Sequence, residues 1–383
     1  MTLKIRQYDY IILGAGASGL MMAYRMAKDP FFDESSILII DKEKDKGNDR
    51  TWSFWEEGQG EWDDCVIKAW SKIYFGSSYF SKTFKGDNYN YKTIRSSDFY
   101  SKIWDVLQTK TNIEFLQSEV VSIQDLEDKV EVQLSTSTVN AKRVLNSLML
   151  SSNYKNQDKY PLLNQHFLGW FIKTKTPQFD DSVATFMDFD LPQNGNTRFM
   201  YVLPFAKDYA LFEYTLFSED ILDISEYESS IKDYLKMKGI DDYDIIETEF
   251  GIIPMTSYKF NKENTENVIH IGTAGGWTKA STGFTFMKSW RQSSELTEFL
   301  KTRKSFKSFH KRSKFWFYDL IFLDVLYADN AFGSRLFSSL FQKTSLKSVF
   351  RFLDEQSHFS EDLKIIAAVP PNRFIRAFFK RLF

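Results

Sequence analysis

Cysteine is almost absent from this 383-residue sequence, with Cys65 standing alone. A single thiol excludes an internal disulfide and a thiolate metal cluster, and it fits a reducing cytoplasm. Histidine is scarce as well. The four present, His166, His270, His310 and His358, show no ligand spacing, so no metal site is expected. No run reaches the roughly 18–20 apolar residues that cross a bilayer. The longest candidate, residues 315–328, is shorter and carries Asp319 and Asp324. No apolar leader precedes the first strand, so no signal peptide is expected. A large excess of one charge is also missing. The 49 Lys+Arg and 51 Asp+Glu give a net charge of −2, which excludes a general nucleic-acid binder.

The charge that exists is unevenly placed. Residues 301–383 hold 16 basic and 7 acidic side chains, a local +9 that leaves −11 for the rest. A basic C-terminal fifth suits an anionic partner such as a membrane surface. Phenylalanine is abundant, at 37 residues. Two readings stand equally: a large apolar site, or a base composition that also raises Lys, Ile, Asn and Tyr.

The stretch YDYIILGAGASGL at 8–20 organises the chain. It reads as a buried strand, a glycine turn and the start of a helix. Gly14, Gly16 and Gly19 carry the G-x-G-x-x-G spacing that lays a dinucleotide pyrophosphate on a helix N-terminus, with Ala17 and Ser18 opening that helix. The β-rich run 36–41 ends in Asp41, 22 residues beyond Gly19, where a carboxylate for the adenosine ribose is expected. The segment NDRTWSFWEE at 48–57 reads as an aromatic loop. Its Arg50 either reaches the pyrophosphate or is an ordinary surface arginine. Late in the chain, VIHIGTAGGWTKASTGFTF at 268–286 brings another strand and a second glycine turn with Thr273, Gly275 and Gly276. Two-segment flavoproteins return to the cofactor domain in this way, which favours FAD over NAD as the resident group.

The expected fold class is therefore α/β. A Rossmann-like FAD-binding domain (1–60, 95–150 and 265–300) joins an antiparallel-sheet substrate domain (61–94 and 151–264), followed by a helical, basic region at 301–383. Residues 62–94 read as a β-meander, 97–107 as a helix capped by Ser97 or Asp98, and 144–150 as a strand returning to the cofactor sheet. A hairpin is expected to turn at Glu127 and Asp128. The tail 373–383 interleaves Arg373, Arg376, Lys380 and Arg381 with Phe374, Phe378, Phe379 and Phe383. It is either an interfacial amphipathic helix or a terminal helix packed on the core.

Glu213 lies in the second strand of FMYVLPFAKDYALFEYTLF, at 199–217. Its strand is apolar on both faces and so is expected to be covered on both. A carboxyl there either pairs with a cation or has its pKa raised by desolvation, and a desolvated acid is a candidate proton donor. The alternative is a purely structural hydrogen bond.

Five further segments carry a resemblance. NDRTWSFWE at 48–56, YVLPF with LFEYT at 201–205 and 211–215, EFGIIPM at 249–255, IGTAGGWTKASTGFTF at 271–286 and VFRFLDEQS at 349–357 resemble, in order and spacing, the motifs of the lycopene cyclase family. These are flavoproteins that close β-rings on carotenoids. Two residues depart from the pattern: Ala280 stands where proline is usual, and Phe284 where tyrosine is common. Thr273 replaces the aspartate of general flavoproteins, as it does in cyclases.

The resemblance implies a non-redox acid–base cyclisation of lycopene, through a monocyclic carotene, to β-rings. FAD would act in its reduced form, with NAD(P)H as upstream reductant. It makes Glu213 the acid/base and Glu249 a second carboxylate supporting the cation or the final deprotonation. It also implies an enzyme at the inner face of the cytoplasmic membrane. The readings weighed against it are a flavin monooxygenase or isoprenoid reductase, and a non-catalytic carotenoid carrier.

Overall fold

In the computed structural model, which describes residues 7–126, 128–309 and 313–382, the apolar run after Gln7 becomes strand β1 (Gln7–Leu13). Glu127, His310 and Phe383 lie outside the described residues. The glycine turn delivers the chain into helix α1 (Ala17–Lys28), and β2 (Ile37–Asp41) follows parallel to β1. Every residue of β2, and β1 from Tyr10 to Leu13, is buried, as a parallel strand covered on both faces requires.

The chain then leaves this sheet for β3 (Thr51–Glu57), β4 (Val66–Trp70), β5 (Lys72–Gly76), β6 (Lys82–Lys85) and β7 (Tyr89–Arg95). It returns through α2 (Ser96–Leu107), β8 (Ile113–Gln117), β9 (Val120–Asp125), β10 (Val130–Leu134) and β11 (Thr138–Asn146). The completed order is β8-β2-β1-β11-β10-β9, with β9 and β10 antiparallel at one edge. This is the doubly wound arrangement expected of the dinucleotide half.

Four local expectations need correction. The aromatic segment 48–57 is largely strand, not loop. Its alternation sends Phe54 into the core of the dinucleotide domain and Trp55 into the core of the other sheet. Residues 62–94 are not one meander: β4 and β7 join β3 in a small sheet, while β5 and β6 extend the large antiparallel one. Helix α2 starts at Ser96 and no side chain of its own caps it. The Asn48 side chain accepts the Ser97 N–H at 3.2 Å, so a distant loop does the work of a local cap. The return strand also ends at Asn146, whose side chain brackets Leu148 and turns the chain.

The second sheet is built from β12 (Leu162–Thr174), β13 (Val183–Asp188), β14 (Thr197–Ala206), β15 (Tyr209–Ser218) and, after α3 (Ile224–Met237), β16 (Tyr243–Thr256). Its order is β16-β12-β15-β14-β13-β5-β6, antiparallel except at β13–β5. Side chains alternate across it. One face packs Trp170, Phe212 and Leu216 on Tyr227 and Ile231 of α3. The other packs Phe171, Phe199 and Phe217 into a core shared with the C-terminal helices.

The short strand β17 (Val268–His270) rejoins the first sheet parallel to β11. Helix α4 (Phe286–Lys301) packs against α1, and α5 (Lys314–Ala328), α6 (Gly333–Lys343), α7 (Leu346–Leu353), α8 (Phe359–Ala368) and α9 (Pro371–Leu382) complete the chain. Among the described residues no helix is long and apolar enough to cross a membrane.

Candidate active site

The N-terminal glycine turn is shaped by three different constraints. Gly14 has φ +90°, and a Cβ there would meet Ser147 Oγ at 2.3 Å. Gly19 lies so close to its strand that a Cβ would stand 1.9 Å from the Gly14 carbonyl oxygen. Gly16 faces open space and forms the N-cap of α1, where no side chain caps the helix and no acid sits in the first turn. Open backbone at an uncapped helix start is what a pyrophosphate needs.

Ala17 and Ser18 begin α1, and the Ser18 hydroxyl donates to Ser289 Oγ of α4 at 3.1 Å. A Cβ on Gly272 would meet Ser18 Oγ at 2.6 Å, so the late glycine turn sits directly on the first helix. Thr273 and Thr278 share a hydroxyl hydrogen bond of 2.9 Å, and Gly276 adopts φ +72°. Gly275 has no room for a Cβ, which would lie 2.2 Å from the His270 carbonyl oxygen. The residues singled out from the two ends of the sequence thus form one continuous cradle, and they fit a dinucleotide.

Asp41 is buried beside this cradle. Its carboxylate accepts the Ala15 N–H at 2.6 Å and an ammonium hydrogen of Lys46 at 2.7 Å, so it also props the glycine turn itself. A ribose would share it with Lys46. The Arg50 side chain is exposed and bonds only the neighbouring Asp49 carbonyl, at 2.6 Å. A cleft of about 1390 Å³ opens beside the late turn, bordered by Thr273, Gly275, Gly276, Lys288, Arg291 and Trp316. Neither Glu213, Glu249 nor the N-terminal glycines line it.

The two carboxylates meet on the antiparallel sheet. Glu213 of β15 stands opposite Gly169 of β12, and Gly169 stands opposite Glu249 of β16. Directly opposed residues project to the same face, so Glu213 and Glu249 flank a position without a side chain. Tyr201 of β14 stands opposite Glu213 on its other side.

Glu213 keeps some accessible surface, yet protein surrounds it densely enough that desolvation pushes its carboxyl up to about 8, with the Glu249 charge adding to the rise. Its one recorded hydrogen bond, from Thr215 Oγ1 at 3.1 Å, opposes the shift weakly. Of the two options open at the sequence level, a cation partner or desolvation, the geometry selects desolvation.

Glu249 is 6% exposed, and burial pushes its pKa up too. Its Oε1 accepts the Thr51 N–H at 3.0 Å, tying the substrate sheet to the segment that carries Arg50. Its Oε2 is buried without a hydrogen-bond partner. An orphaned carboxylate oxygen is costly and is kept where it has work to do.

Aromatic rings wall the same face. Tyr91, whose hydroxyl feels the Glu213 charge, packs edge-on to Phe186 at 5.5 Å, and Phe186 packs edge-on to Tyr201 at 5.9 Å. Phe284 lies parallel to Phe186 at 6.0 Å and meets Trp55 at 4.6 Å. This packing uses the ring of Phe284 and leaves no role for the hydroxyl it lacks. Among the described residues no cluster could hold a metal ion.

The family model for lycopene cyclase protein matches residues 9–379. The chain belongs to the lycopene cyclase family. Among its relatives are a lycopene beta-cyclase of Pseudescherichia vulneris, 24% identical over 65% of this chain, and a chloroplastic neoxanthin synthase of Solanum lycopersicum, 22% identical over 76% of it. The alignments span 62% and 60% of those two proteins, about three fifths of their length.

Solved structures match more completely. A geranylgeranyl bacteriochlorophyll reductase-like protein of Thermoplasma acidophilum aligns with a TM-score of 0.65 at 12% identity, covering 98% of this chain and 99% of its own. The flavin-dependent brominase Bmp2 aligns at 0.62 and 13%, covering 98% and 100%. The chain therefore has the two-domain α/β fold of flavin-dependent proteins.

Sequence reasoning passed over Gly169 and the Phe186 ring of this site, and it gave Tyr201, inside YVLPF, no role of its own. Gly169 did carry a signal, as a glycine in the middle of the apolar run FLGWF, where strands rarely place one without a packing reason. The other two depend on strand register, which no local pattern reveals.

Proposed function

We propose that this chain is a lycopene β-cyclase that closes the acyclic ends of lycopene by acid–base chemistry. The observation that carries the reading is the pair of desolvated carboxyls, Glu213 and Glu249, on one face of an aromatic-walled sheet. A carboxyl that titrates near 8 is protonated at neutral pH and can donate. Glu213 delivers its proton to the terminal double bond and leaves a tertiary carbocation. The next double bond attacks that cation and closes a six-membered ring. A carboxylate then removes the adjacent proton, Glu213 again or Glu249, and sets the β-double bond. One proton enters and one leaves, so mass is unchanged. The aromatic surroundings of the carboxyls favour a cation held beside them, and exclusion of water from that face would keep water from capturing it.

Gly14, Gly16, Ala17, Ser18, Gly19, Asp41, Arg50, Thr273, Gly275 and Gly276 would hold FAD. When bound and reduced by NAD(P)H, FAD supplies an electron-rich ring that stabilises nearby positive charge. The substrate is lycopene and then the monocyclic carotene, both lipid-borne. Helix α9 exposes Ile375, Phe378, Phe379 and Leu382 among Arg376 and Lys380, which supports docking at the inner face of the cytoplasmic membrane. Arg373 pairs with Asp329, and Arg381, with Lys380 beside it at 3.9 Å, pairs with Asp324; these pairs anchor the helix to the body.

Production of the full chain in lycopene-accumulating cells tests the reading. The expected product has the mass of lycopene and carries β-rings. A gain of oxygen or of two hydrogens would mean oxygenation or reduction, and lycopene recovered unchanged would mean a carrier; each overturns the proposal.

A further inference from the structure

Gly169 sits in the row Glu249–Gly169–Glu213–Tyr201, which runs across four neighbouring strands. Opposed side chains in adjacent antiparallel strands approach within about 5 Å at Cβ, but residues two strands apart are separated by roughly 10 Å. Two glutamates at that spacing can lean directly toward one another only if nothing stands between them. Any side chain at position 169 would occupy that space.

The local geometry shows how the gap is used. A methyl placed on Gly169 would lie 3.6 Å from Glu213 Cγ and 3.7 Å from its Cβ, so the Glu213 stem already runs alongside the vacant position. The same methyl would meet Leu211 Cδ1 at 2.9 Å, the far end of a flexible side chain. Gly169 does not have φ in the left-handed region, so nothing in its backbone demands glycine. Its smallness serves its neighbours. On the far side of the gap, Glu249 presents a buried Oε2 with no partner.

We infer that Gly169 is a positioning residue: its missing side chain lets Glu213 and Glu249 interact across strand β12, so that the two carboxyls hold and pass one proton as a pair. The inference deepens the cyclase reading and rests on it only for the substrate. The proton balance is simple. The Glu213 O–H bond breaks as the new C–H bond forms. When the ring cation loses the proton from its neighbouring carbon, a different C–H bond breaks, its electron pair becomes the ring double bond, and an O–H bond re-forms on one member of the pair. The pair ends as it began, with one proton, and needs no external acid or base between turnovers.

The test is an infrared pH titration of the protonated Glu213 carboxyl in the purified full chain, with the band assigned by its loss in Glu213→Gln. Glu249→Gln removes a negative neighbour, so the Glu213 band should disappear at lower pH than in the parent. Introduced into Gly169→Ala, the same Glu249→Gln change should give a shift at least about twofold smaller, as a double-mutant cycle reads coupling. An equal shift in both backgrounds overturns the inference.

Combining Gly169→Ala with Leu211→Ala relieves the one close contact and separates wedging from distortion. A reduced shift that persists in the double variant supports the positioning role, and a shift restored to full size refutes it. The two readings also fail separately. Coupling in a protein that returns lycopene unchanged keeps the pair and removes the cyclase. Cyclisation with no Gly169-dependent coupling does the reverse.

Discussion

The two faces of the antiparallel sheet bury ionisable groups in opposite ways. On the α3 face every such group is matched. His166 lies between Tyr227 and Ser218, with its Nε2 2.6 Å from Ser218 Oγ. Because that hydroxyl donates to the Asp220 carbonyl, it accepts from the ring, which makes Nε2 the protonated nitrogen and Nδ1 the acceptor from Tyr227. Arg198 likewise bonds Asn196, Tyr214 and Glu226. On the opposite face Glu213 has a single hydroxyl for a partner, and Glu249 keeps an oxygen with none. The two faces share strands and apolar surroundings, so burial alone does not mark a reactive group. What distinguishes them is whether the buried polar atoms are satisfied.

The sharpest way to break this contrast is Glu213→Gln. The amide keeps the shape and cannot deliver a proton, so lycopene turnover should fall by about 10²–10⁴-fold, the usual worth of general acid catalysis. Flavin content and thermal unfolding should stay near those of the parent. Retained turnover would make Glu213 a structural residue like His166.

The next effect is on pH. Glu213 donates only while protonated, so turnover should be present below its raised pKa of about 8 and fall as pH rises through it. Stability follows the same sign. The folded carboxyl holds its proton to higher pH than the unfolded one, so its contribution is full below the ordinary value of 4.5 and is lost as pH rises towards about 8. Denaturant unfolding across that window should show a decline on the order of a few kcal/mol that Glu213→Gln abolishes.

How much of this was legible in the sequence follows the range of the interactions involved. The glycine cradle could be read because strand, turn and helix are contiguous, and the late turn announced itself by the same composition. The desolvation of Glu213 could be read from the apolar residues alternating on both sides of it in β15. The strand character of β3 was missed because Trp52, Ser53, Phe54 and Trp55 present no clean polar–apolar period. They serve two cores, one on each face of the strand. Register was beyond reach. That Gly169 separates the two glutamates follows from pairing strands far apart in the chain, and that Asn48 caps α2 follows from a loop 49 residues earlier in the chain.

A smaller effect is expected on the satisfied face. His166→Leu removes both ring nitrogens and strands the Tyr227 and Ser218 hydroxyls, at a cost of about 1–3 kcal/mol in unfolding free energy. Desolvation holds the His166 pKa down to about 4, so the folded protein keeps the ring neutral. Its contribution is therefore full above the ordinary value of 6.5 and is lost as pH falls towards about 4. The variant should lose this acid-side decline and keep the alkaline limb of turnover near 8. A variant that moved that limb would join the two faces into one functional unit.

The smallest effect separates the tail from both faces. Of the basic residues on α9, Arg373 pairs with Asp329 and both Lys380 and Arg381 pair with Asp324, whereas Arg376 is exposed on the helix that also exposes Ile375 and Phe379. An exposed cation on a helix with exposed apolar side chains gains about 1 kcal/mol at an anionic lipid surface. Arg376→Glu should therefore weaken binding to vesicles containing anionic lipid by roughly thirtyfold, with little change on neutral vesicles. Arg381→Glu should act differently, lowering thermal stability because it opposes the buried Asp324. If both variants weakened vesicle binding equally and neither altered stability, the division of α9 into an anchoring side and a lipid-facing side would be wrong.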